Sequence, residues 1–111
     1  MPRAESVRSA PRAEIFAALG DQHRLRLIDR LCESGPMSIT ALSGGTAISR
    51  QAVTKHLHRL EQAGLVHSHR QGRERLWQVE PASIDDAQRY LEHISARWDA
   101  AIDRLRRYVE T

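Results

Sequence analysis

Apolar positions along this chain recur mostly at helical spacing, broken once by a short stretch of strand-like alternation. Pro11 suits the first turn of a helix whose apolar face is Ile15, Phe16 and Leu19 and which stops at Gly20. Asp21 is a cap for the next helix, DQHRLRLIDRLCES, where Leu25, Ile28, Leu31 and Cys32 repeat as a core stripe and Gly35 and Pro36 end it. Cys32 is expected in that core. A short helix then starts at Ser38 or Thr40 and holds Ile39, Ala41 and Leu42. Gly44 and Gly45, each costing about 1 kcal/mol relative to Ala inside a helix, predict that it is very short or loose.

The segment SRQAVTKHLHRLEQAGLV, residues 49–66, is the strongest signal. Val53, Leu57 and Leu60 fall at i, i+4 and i+7 with Ala52 at their edge, and Arg50, Gln51, Thr54, Lys55, His58 and Arg59 occupy the opposite face. Ser49 caps this helix and Gly64 stops it, giving bounds of about Arg50 to Ala63. The runs LVHSHR and RLWQVE then read as a hairpin turning through Gln71, Gly72 and Arg73, with Leu65, His67 and His69 on one side and Val66 and Ser68 on the other. In the second run Leu76, Gln78 and Glu80 oppose Trp77 and Val79. Pro81 breaks the strand, and Ser83 is expected to cap a last helix with Asp85 and Asp86 in its first turn. Along that helix Ile84, Ala87, Leu91, Ile94, Trp98, Ala101, Leu105 and Tyr108 alternate spacings of three and four, a heptad seam widened by Ile102 and Val109. About 26 residues of helix span about 39 Å, longer than the small body before it. A second copy of the chain is the simplest cover for the excess, and the residues expected to meet it are Ile84, Ala87, Leu91, Ile94, Trp98, Ala101 and Leu105.

Length and composition narrow the classes. A chain of 111 residues is enough for one domain and too short for two cores. The expected organisation is an arm at 1–10, containing Arg3 and Arg8, and one unit at 11–111 whose dimerisation helix is 83–110. No apolar run approaches the roughly 18 residues of a membrane span, and the first ten residues lack a secretory core, so a cytoplasmic protein with no membrane partner is expected. A lone cysteine excludes an intrachain disulfide. The net charge of +3 is modest, but residues 49–75 carry six Lys or Arg against Glu61 and Glu74, more than the whole excess. His56, His58, His67 and His69 lie in the same segment. Such a local positive field points to a polyanion. On the basic face, guanidinium groups suit guanine or phosphate, the Gln51 amide suits adenine, and Thr54 suits a thymine methyl or a phosphate oxygen. The hairpin tip, with Arg70, Arg73 and Arg75, offers a second contact to a phosphate strand or minor groove.

Enzymatic chemistry finds no support: there is no phosphate loop, dinucleotide fingerprint, nucleophile elbow or HExxH motif. Asp85 and Asp86 are explained by their place at a helix start. His67 and His69 share a strand side, yet His56 and His58 do not face each other and no third ligand stands at a persuasive spacing, so neither metal nor cofactor is expected.

The segments ALGDQHRLRLIDRL, SRQAVTKHLHRLEQAGLV and HRQGRERLWQVEP, in this order and spacing from about Phe16 to Pro81, resemble the ArsR-type winged helix-turn-helix transcriptional regulators. The final segment, YLEHISARWDAAIDRLRRYVE, is similar to the C-terminal dimerisation helix of their non-metal-sensing members. The resemblance implies an α+β, mainly helical fold and a homodimer that binds a palindromic operator in double-stranded DNA and represses its own operon. It would set Ser49, Arg50, Gln51, Thr54, Lys55 and His58 in the major groove and Arg70, Arg73 and Arg75 in the wing. It also makes His56 a backbone or structural contact. Where metal-sensing relatives carry a CVC-type motif this chain has SITALSGG, and its last helix lacks the Asp-x-His pattern of the zinc sensors. The Gly44–Gly45 pair departs from the family's usual helix former and implies a softer seat for the recognition helix. A small-molecule inducer is left open. Two other readings are a protein-interaction module using the long helix, and a redox-responsive regulator through Cys32.

Overall fold

The computed structural model describes residues 12–110; the arm at 1–10 and Pro11 lie outside the described residues. In chain order the elements are α1 (Arg12–Leu19), α2 (Gln22–Ser34), α3 (Ile39–Ser43), α4 (Arg50–Gln62), β1 (Val66–Gln71), β2 (Glu74–Val79) and α5 (Pro81–Glu110). This is the mainly helical, winged α+β arrangement that the hydrophobic pattern predicts.

Helix starts follow the side chains available to cap them. Asp21 accepts from the backbone N–H groups of His23 and Arg24, Ser38 from Ala41 and Ser49 from Ala52, so each first turn has an acceptor for a donor that the helix itself cannot satisfy. Gly64, at φ 78°, turns the chain out of α4, and the Leu65 N–H bonds back to the Leu60 carbonyl. The stop sends Leu65 and Val66 straight into the core, where both are buried.

That core lies between α1, α2, α4 and the base of the hairpin. Val53, Leu57 and Leu60 of α4 are wholly inaccessible and meet Ile15 and Ala18 of α1, Leu27, Ile28 and Leu31 of α2, Leu42 of α3, and Trp77. Each such Leu or Val contributes about 1.5–3 kcal/mol by leaving water, and truncating Leu57 to Ala would cost about 2–5 kcal/mol. The stripe on α2 differs from the sequence expectation. Leu27, Ile28 and Leu31 face inward, whereas Leu25 is 45% exposed and Cys32 is an exposed free thiol. At about 100° per residue the Leu25–Cys32 line stands roughly a third of a turn from the Leu27–Leu31 line, and only one of them can face the core. Arg24 and Arg30 help fix the choice, since both point toward neighbouring elements: Arg24 Nε donates to the Ala18 carbonyl, and the Arg30 guanidinium donates to the Ala41 and Leu42 carbonyls.

The hairpin pairs antiparallel from Val66↔Val79 to Gln71↔Glu74, which leaves a two-residue turn, Gly72–Arg73, instead of the three-residue turn read from the sequence. Gly72 sits at φ 66° and among the described residues no non-glycine residue, Arg73 included, has positive φ, the backbone signature of a type II′ turn. A further antiparallel bridge joins Met37 to Trp77, with N–H···O distances of 3.0 and 2.8 Å, and pins the hairpin to the loop before α3.

The long helix opens at Pro81, two residues before the expected cap. Ser83 is therefore inside it, and its hydroxyl donates to the Gly64 carbonyl at 2.6 Å, so it fastens α5 to the end of α4. Asp86, displaced from the first turn, faces Arg12 at 3.6 Å. Thirty residues make α5 about 45 Å long. Ala87 is buried and Ile84 is partly buried against the domain's own core, while Phe16 stacks on Tyr90 with ring centroids 5.7 Å apart. Beyond Tyr90 only Ile94 and Ala101 of the described residues are even partly covered. Leu91, Trp98 and Leu105 are 54%, 64% and 63% exposed. The unpartnered seam thus begins at Leu91, later than the sequence expectation, because Ile84 and Ala87 are occupied within the protomer.

Candidate nucleic-acid interface

With Val53, Leu57 and Leu60 buried, the helical period leaves Arg50, Gln51 and Lys55 fully exposed on the opposite face of α4 and Thr54 half-buried between them. These four side chains line one open depression. Among the described residues no carboxylate lies within ion-pairing distance of Arg50, Lys55, Arg59, Arg70 or Arg73. Among the described residues the field of this face is therefore not neutralised by ion pairing. The Ser49 hydroxyl accepts from the Ala52 N–H, and Thr54 donates its hydroxyl to the Arg50 carbonyl at 3.0 Å, which leaves its oxygen lone pairs available.

Other predicted residues are partly engaged. His58 shares the exposed face of α4, but its ring stands edge-on to Trp77 at 5.7 Å and its Nδ1 is 3.4 Å from Glu61, so it braces the helix against the hairpin. Arg70 and Arg75 are directly opposed in the ladder, and Arg75 is held by a 2.9 Å bond to the Ser68 hydroxyl. Arg73, at the turn, has no hydrogen bond or ion pair among the described residues. His67 does not join the basic face: Gln78 Nε2 is 3.0 Å from its Nε2, and Glu80 lies 3.2 Å from its Nδ1 at an ion-pair distance without hydrogen-bond alignment. His69, opposite Leu76, is exposed. No group of three His, Cys, Asp or Glu side chains among the described residues comes together as a metal site.

The back of α4 is seated by residues that periodicity does not mark. His56 is half-buried, 3.4 Å from Arg24 and with its ring 5.8 Å from that of His23. Arg24 thereby ties the end of α1 to the back of the basic helix. The turn before α4 is also firmer than its glycines imply. Arg30 lies across Gly45, within 3.5 Å of where a Cβ would project, and its guanidinium occupies the carbonyls at the end of α3. Thr46 closes the same turn on the Ile48 carbonyl at 3.2 Å.

A short helix, a turn, a basic exposed helix and a basic hairpin therefore stand in one rigid order. Residues 19–69 match the helix-turn-helix domain family. The uncharacterized HTH-type transcriptional regulator YuzN of Bacillus subtilis is 41% identical over 68 residues, 56% of this chain and 74% of that protein. The ArsR-like transcriptional regulator of Rhodococcus sp. RHA1 superposes with a TM-score of 0.73 at 35% identity, covering 85% of this chain and 88% of that one. The chain belongs to the ArsR-like family of helix-turn-helix transcriptional regulators. The homodimeric winged helix-turn-helix DNA-binding domain Mb0332 of Mycobacterium bovis shares the fold at 23% identity, with a TM-score of 0.59 over 78% of this chain and 77% of that one. In this ArsR-like framework α3 and α4 form the helix-turn-helix, and the β1–β2 hairpin is the wing. No helix among the described residues is long and apolar enough to cross a membrane.

Proposed function

We propose that this regulator is a homodimer that binds a palindromic operator in double-stranded DNA and represses its own operon in the cytoplasm, acting by occupancy and not by catalysis. The observation that carries the reading is the exposed cationic face of α4 and the wing tip, where Arg50, Lys55, Arg59, Arg70 and Arg73 have no carboxylate within ion-pairing distance among the described residues. Arg50, Gln51, Thr54 and Lys55 contact base edges and flanking phosphates in the major groove, with Ser49 at the helix start against the backbone and His58 at the groove wall. Arg70, Arg73 and Arg75 hold the neighbouring phosphate strand. Residues 11–111 act as one unit, and the Leu91, Ile94, Trp98, Ala101 and Leu105 seam of α5 is covered by the same seam of a second copy. The two recognition helices then meet successive major grooves about 34 Å apart, and the operator carries the two-fold symmetry of the protein. With SITALSGG in place of a thiolate pair before the turn, repression is not relieved by metal at that helix.

Fluorescence anisotropy with the upstream duplex and a scrambled duplex, each at two salt concentrations, tests this. The expected result is preference for the upstream duplex, with affinity falling steeply as salt rises. Arg50→Ala or Gln51→Ala should cost about 1–3 kcal/mol and relax one base position, whereas Arg73→Ala should weaken all sequences alike. An operator preference left intact by both recognition-helix substitutions would refute the assignment.

A further inference from the structure

A cavity of about 290 Å³ opens where α1, the end of α4 and the start of α5 meet, and it shares no residue with the basic face. Its apolar lining is the exposed Ala82 and the edge of Ile15, with the inaccessible Ala63 behind them. Two of its polar side chains already have partners: the Ser83 hydroxyl is on the Gly64 carbonyl, and the Asp86 carboxylate faces Arg12 at 3.6 Å. The third is Arg89, one turn beyond Asp86. It has neither an acidic neighbour within ion-pairing distance nor a hydrogen bond among the described residues. A second depression, about 400 Å³, shares Asp86 and Arg89 and adds Arg97, so the field outside the cavity is positive as well.

We propose that this cavity binds a small organic carboxylate, with its anionic end on Arg89 and its apolar body against Ala82 and the edge of Ile15. Three observations select that class. The planar guanidinium fork of Arg89 matches a carboxylate bidentately. A cation is disfavoured because Arg12 already neutralises the one acid. The volume lies at the low end of ligand pockets, which run from about 300 to 1,000 Å³, and suits a single ring and not an extended chain. The site also touches both Gly64, where the recognition helix stops, and the first turns of α5. A ligand there changes the angle between the two helices to the extent that it prefers one arrangement, and for that consequence alone the proposal rests on the function proposed above.

The test is an amide-resolved NMR titration of the full chain with sodium benzoate. Saturable shifts at Gly64, Ala82 and Ser83 are expected, with at least about tenfold weaker binding in Arg89→Gln. Ala82→Phe, which fills the cavity from an exposed helix position, should abolish the shifts while the circular-dichroism melt is retained. Shifts that stay linear to about 20 mM benzoate would overturn the proposal, as would an affinity unchanged in Arg89→Gln. Equal affinity for inorganic phosphate would overturn it too, because the apolar lining would then contribute nothing. The titration uses no DNA, so its failure is distinguishable from failure of the operator reading.

Discussion

Replacing Trp98 by Ala probes the dimer seam without touching the protomer's core. Trp98 is 64% exposed and stands outside the buried cluster, so its removal leaves the folded protomer intact. An aromatic side chain offers up to about 250 Å², of which about 160 Å² is still open at this position, worth about 4 kcal/mol at 25 cal/mol per Å². Two copies double the figure to about 8 kcal/mol for complete burial. Half of that, about 4 kcal/mol per dimer, is the working estimate for a helix pair that covers its seam partially, and it corresponds to about a thousandfold in dimer dissociation constant. Sedimentation equilibrium measures the constant, and thermal melts by circular dichroism at low concentration check that the protomer still folds. A dissociation constant within about threefold of the native one would refute the reasoning, as would a native chain that is monomeric at about 100 µM.

Three further outcomes follow from local geometry. Ser49→Ala removes the acceptor of the Ala52 N–H and should lower stability by about 1 kcal/mol, seen as a shifted urea midpoint with an unchanged slope. Gly72→Ala places a Cβ at φ 66° in the wing turn and should cost about 1–2 kcal/mol, with loss of amide protection confined to β1 and β2. The Asp21 carboxyl is held below its ordinary 3.8 chiefly by the Arg24 N–H, with the His23 N–H and the charges of Arg24 and His56 assisting against burial. A depressed folded pKa contributes stability above 3.8 that is lost as pH falls through the folded value. Native protein should therefore lose thermal stability relative to Asp21→Asn in acid below that point, and parallel melting curves for the two across the acid range would contradict it.

Helix α4 was legible because every level of its sequence agrees: a cap at Ser49, a single apolar stripe, a glycine stop and a basic reverse face. The α2 stripe was not, since Leu25, Leu27, Ile28, Leu31 and Cys32 allow two lines about a third of a turn apart and the choice depends on partners distant in sequence. Arg24 reaches α1 and His56, and Arg30 reaches the end of α3, contacts that no periodicity encodes. For the same reason the softness implied by Gly44 and Gly45 is offset by a side chain fourteen or more residues earlier. The Met37–Trp77 bridge is one residue wide and leaves no alternation to read. Ser83 looked like a cap because its position fits one, yet Pro81 already has the fixed φ of a first helical residue and starts the helix before it.

The wing carries a local conflict that bears on function. Strand β1 places Val66, Ser68 and Arg70 on one side and β2 places Val79, Trp77 and Arg75 on the same side, so apolar packing at the base gives way to two arginines directly opposed near the tip. Like charges across an antiparallel pair destabilise it by a few tenths of a kcal/mol up to about 1 kcal/mol. The relief found among the described residues is the Ser68 hydroxyl, a neutral acceptor for Arg75. A fold selected for stability would place an acid at one of these positions. The tension disappears when a phosphate lies between the two guanidinium groups. A break in local consistency at this spot thus supports the polyanion contact proposed for the wing, by an argument independent of the helix. Arg70→Glu tests it directly. The substitution should raise the stability of the free protein by up to about 1 kcal/mol while weakening its affinity for DNA, and a variant with lower stability or undiminished affinity would contradict the argument.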